Sequence, residues 1–146
     1  MRITFAEPPM TGLNEEITKL ENQRAVLTAR KECVEASIIT ECMRPDSVFD
    51  IHIIEDLRED LMSVCYTLGR LDAALDDMKQ ERTLMSTYAS LLQDIYVCEY
   101  SMMEAAMCGK DGVYKNLLKD HDGTVSAIAD IKQKLEVIRI RTMQRK

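Results

Sequence analysis

The stretch IEDLREDLMSVCYTLGRLDAALDDM, Ile54 to Met78, decides the fold. Ile54, Leu57, Leu61, Val64, Leu68, Leu71, Leu75 and Met78 alternate three and four apart. On a helix that spacing makes one apolar seam of the coiled-coil type, which a facing helix reads. Between the seam residues lie Glu55, Asp56, Glu59, Asp60, Asp72, Asp76 and Asp77, so one face seeks a partner and the others seek water.

Working outward, the N-terminal side repeats the pattern. Leu13, Ile17, Leu20, Leu27, Val34 and Ile38 keep the same spacing, with Arg24 and Lys31 on the seam. Long cations at such positions lay their stems on the groove edge and keep the head in water. Ala25, Ala29 and Ala36 are small enough for a neighbour to approach closely. The spacing predicts a helix from near Leu13, capped by Thr11 or Asn14, to near Met43, because Pro45 disfavours a helical Arg44. Asp46 or Ser47 is the expected cap of the next helix. Gly69 sits inside that helix, where a close crossing is one reason for a residue without a side chain.

Past Met78 the better apolar row shifts by one position, to Tyr88, Leu91, Ile95, Cys98, Met102 and Ala105. A turn between Arg82 and Thr87, capped by Thr83, Ser86 or Thr87, is the favoured reading; one uninterrupted helix from Asp46 to Met107 is the other. Cys108-Gly109-Lys110-Asp111-Gly112 is the clearest loop. Beyond it Tyr114, Leu117, Ile128, Ile131, Leu135 and Ile138 share a heptad frame, with His121 and Thr124 in the same frame. Asp122-Gly123 either interrupts that helix or is carried through it.

The expected fold is therefore all-α: an antiparallel helical bundle of three to four long helices with coiled-coil character. Residues 1–11, with Pro8 and Pro9, read as an extended or disordered segment, and 12–146 as one helical-bundle domain. Only 5 Gly and 3 Pro leave little punctuation for a sandwich or barrel. No run of about 18 apolar residues is present, and Met1 to Met10 lacks the apolar core of a signal peptide. Five Cys, an odd number without a CxxC pair, read as small reduced hydrophobes of an intracellular, cytoplasmic chain.

No constellation for chemistry emerges. The acidic residues of 55–77 loosely resemble those of all-α metal-dependent nucleotide pyrophosphohydrolases, which hold Mg²⁺ on helix carboxylates, but the ExxE and ExxD spacing is missing. Asp120-His121-Asp122-Gly123 resembles the middle of an EF-hand loop, yet Leu118 and Ala129 stand where its end ligands belong. His52 with Glu55 supplies too few ligands for a metal. No catalytic residue, metal, cofactor or small-molecule substrate is expected.

The expected function is non-catalytic, helix-mediated protein–protein interaction, as an adaptor, assembly subunit or small helical chaperone, with self-association or a protein partner. Leu61, Leu68, Leu71 and Leu75 are the candidate seam, and Met102, Met103 and Met107 an adaptable hydrophobic patch. Two alternatives stand beside it: an all-α metal-dependent nucleotide pyrophosphohydrolase using the helix carboxylates, and contact with nucleic acid or a membrane surface through the basic end, Arg139, Arg141, Arg145 and Lys146. From 132 to 146 the net charge is +5, against −6 for the whole chain, which leaves −11 on the remainder. That acidic balance disfavours nucleic acid.

Overall fold

The computed structural model describes residues 10–145. The chain is all-α: helix α1 is Met10–Cys42, α2 is Ile51–Met107 and α3 is Asp111–Arg145, with a single 3₁₀ turn at Asp46–Val48. No described residue is in a strand. Expectations for residues 1–9 lie outside the described residues. No described helix is long and apolar enough to cross a membrane.

Among the described residues the helices number three, the lower end of the three to four expected. The turn read between Arg82 and Thr87 is absent, because α2 runs through it as one helix. The would-be caps show why. The Thr83 hydroxyl donates to the Lys79 carbonyl, and Thr87 to Thr83, each at 3.0 Å. Threonines that bond back one turn inside a helix are not capping a new one. The register shift has another cause: Leu92 of the continuing row and Ile95 of the shifted row are both buried. The second part of α2 thus carries a wider apolar face rather than a break.

The chain divides into two compact units, one of Asn14–Met78 and one from Lys79 to the end of α3, joined by the opening turn of α1. In the first unit α1 packs antiparallel against the first part of α2. Ile17, Val34, Ile54, Val64 and Leu75 are its buried apolar residues, all on the expected seams. Arg24 donates to the Asp72 carboxylate across the pair. Ala25, Ala29 and Ala36 face outward instead of toward a neighbour. A Cβ built on Gly69 meets nothing within 4 Å, so no close crossing accounts for that glycine.

In the second unit the partners step down α3 as one moves up α2. Tyr88 lies under the Lys132 ammonium, Leu92 and Ile95 cluster with Ile128, and Glu99 meets His121. That order makes the pair antiparallel. The α3 heptad frame holds throughout: Tyr114, Leu117, His121, Thr124, Ile128, Ile131, Leu135 and Ile138 are all buried or half-buried. The helix continues through Asp122-Gly123, and Thr124 donates to the Asp120 carbonyl at 3.0 Å rather than starting a new helix.

The ends have distinct chemistry. α1 begins by Met10, ahead of Leu13, so Thr11 and Asn14 lie inside it. α2 opens on Asp50, whose carboxylate accepts the His52 amide at 2.9 Å; Pro45 commits Asp46 and Ser47 to the 3₁₀ turn instead. α2 closes in a Schellman motif: Lys110 N–H reaches the Ala105 carbonyl at 2.9 Å and Gly109 N–H reaches Ala106 at 3.3 Å. Gly109 takes φ +68°, the left-handed conformation that this closure requires.

Candidate functional site

The seam residues singled out for partner binding sit within the first unit. Leu75 is 4% exposed, and Leu61, Leu68 and Leu71 are half-buried. The methionines differ among themselves. Met102 is half-buried in the α2 row that faces α3, whereas Met103 and Met107 are exposed, Met107 at 82%. With Val97 and Tyr100 they form an exposed apolar stripe up the last turns of α2. Arg139 and Arg141 are exposed and Arg145 is half-buried; Lys146 lies outside the described residues.

Among the described residues no three His, Cys, Asp or Glu side chains gather to hold a metal. Glu55, Asp56, Glu59, Asp60 and Asp76 are exposed, as their register requires. Asp77, expected to face water with them, is 5% exposed. It begins the second apolar row of α2, one turn before Glu81 and Leu84, and so turns inward. The segment 120–124 is helical, so no EF-hand loop forms there.

The densest polar cluster joins α2 to α3. His121 Nε2 lies 3.1 Å from Glu99 Oε1, and its Nδ1 lies 3.9 Å from Asp122 Oδ1. Beside it the Cys98 thiol donates to the Leu117 carbonyl at 3.3 Å. Partial burial pushes that thiol above its ordinary value, and the Asp120 and Glu99 carboxylates push it the same way. A thiol held protonated is a weak nucleophile. The cluster is a clamp between two helices. The other four cysteines are free thiols, as expected of a reduced chain, and are exposed.

One surface escaped the sequence reading. Around the α1–α2 connection Ile39, Met43, Val48, Phe49, Ile51 and Ile53 are all exposed, Met43 at 80%. Ile51 and Ile53 fall off the seam that Ile54 and Leu57 begin. Apolar residues in surplus of the seam, next to Pro45, were the signal that would have found it. The chain matches no protein-family model, no curated protein and no solved structure.

Proposed function

We propose that the protein works by helix-mediated protein–protein interaction, without catalysis, as an adaptor, assembly subunit or small helical chaperone. The exposed apolar residues between Ile39 and Ile53 carry this reading. Large apolar side chains gathered at one end of a helical hairpin are costly to leave in water and are what a protein partner covers. The Val97–Met107 stripe supports it, since exposed Met and Tyr suit an adaptable contact. The four exposed free thiols fit a reducing, intracellular compartment, where such thiols persist.

Light scattering of the intact chain, beside the double variant Met43→Ser/Phe49→Ser, tests the proposal. Both residues are exposed, so the variant keeps its melting temperature while association falls. A wild-type chain that stays monomeric and captures no protein in the cell that expresses it rules the reading out.

A further inference from the structure

The last turns of α3 are apolar on two faces. Ile131, Leu135 and Ile138 face the core, yet Val137, Ile140 and Met143 on the opposite side are exposed. Heptad positions place Lys134 and Arg141 along one edge of this outer strip and Lys132 and Arg139 along the other. Arg139 holds Glu136, the strip's single carboxylate, at 3.1 Å, and Lys132 lies over Tyr88. The result is an apolar line between two cationic margins.

The opening of α2 carries the opposite arrangement. Its outer face, away from Ile54 and Leu57, presents Glu55, Asp56 and Glu59, followed by exposed Met62 and Tyr66. His52 lies 3.6 Å from Glu55, Arg58 is the cation on one margin, and the Arg70 guanidinium lies over the Tyr66 ring at 5.9 Å.

We infer that the basic outer face of α3 docks on the acidic outer face of α2 in a second copy of this chain. The inference rests on the interaction reading above and gives it a partner. Lys134, Arg139 and Arg141 meet the carboxylates, while Val137, Ile140 and Met143 lie against Met62 and Tyr66. Both surfaces are outer faces, so neither helical pair must open. The charge distribution favours this occupant over an anionic bilayer or a nucleic acid. The −11 carried outside residues 132–146 repels either polyanion and attracts the basic end of another copy. The apolar line is short, so the contact is weak and depends on charge, which salt screens within about 3 Å at 1 M.

Sedimentation velocity of the intact chain at ~50 mM and ~500 mM NaCl tests it. Reversible association at low salt that disperses at high salt is the expected result. Lys134→Glu/Arg139→Glu and Glu55→Lys/Glu59→Lys each remain monomeric at low salt, and an equal mixture of the two associates again. Circular dichroism confirms that both variants keep the wild-type helix content. A chain monomeric at low salt overturns the inference. So does self-association unchanged by the charge reversals: if Met43→Ser/Phe49→Ser then abolishes it, the general interaction reading survives alone. Monomeric wild type co-floating with phosphatidylserine–phosphatidylcholine vesicles, with loss on Lys134→Glu/Arg139→Glu, overturns it in favour of a membrane surface.

Discussion

Glu99 on α2 and His121 on α3 meet 3.1 Å apart, both partly shielded from solvent, within the seam that holds the two helices together. A histidine at a core heptad position is tolerated there because the facing helix supplies a carboxylate. His121→Ala leaves Glu99 without that contact and is expected to cost about 1 kcal/mol. Urea denaturation measures it as a lower midpoint with unchanged slope. A cost near zero would make the pair ornamental to stability.

Cys98, one residue before Glu99, makes stability sensitive to alkali. Its folded thiol titrates above the ordinary value of 9.0, so the folded state keeps a proton that the unfolded chain has already released. The contribution is fully present below the unfolded value. It is lost as pH rises through the folded one. Thermal melts across this window should show a steeper decline for wild type than for Cys98→Ser. Alkylation at pH 8 should label Cys98 more slowly than the four exposed cysteines.

Leu75 separates internal core from docking surface. Its burial within the isolated chain means that Leu75→Ala costs about 2–5 kcal/mol in a dilute sample. If that residue instead served a partner, dilute stability would hardly change and only association would suffer.

Two glycines are expected to respond in opposite directions. Gly69 lies in a helix interior with open space around a Cβ, so Gly69→Ala gains about 1 kcal/mol. Gly109 has positive φ, so Gly109→Ala loses about 1–2 kcal/mol although nothing crowds it. Differential scanning calorimetry reads both as shifts of melting temperature of a few degrees.

The faces of the helices were legible in the sequence because a heptad repeat states which side is inward. Leu13 to Ile38, Ile54 to Met78 and Tyr114 to Ile138 all bury the rows that their spacing named. Breaks were not legible. Thr83, Thr87 and Thr124 can cap a helix or bond back inside one, and composition alone does not choose. Nor does a shift from the Leu92 row to the Ile95 row say whether a helix has turned or has broadened its buried side. Asp46 and Ser47 were the expected caps, and only the backbone that follows Pro45 brings the Asp50 carboxylate to the His52 amide instead. The exposed apolar end at Ile39–Ile53 was hidden by its neighbour Ile54, which obeys the seam while Ile51 and Ile53 do not.

The connection at Cys108–Lys110 bears on how copies of this chain can trade parts. Exchanging α3 between two molecules would require the reversal at Gly109 to straighten, so that α2 and α3 continue as one rod. The two backbone hydrogen bonds that close the turn, from Lys110 N–H to Ala105 and from Gly109 N–H to Ala106, would be lost in that straightening. A contact between surfaces laid side by side leaves that turn as it is, with each molecule keeping its own third helix.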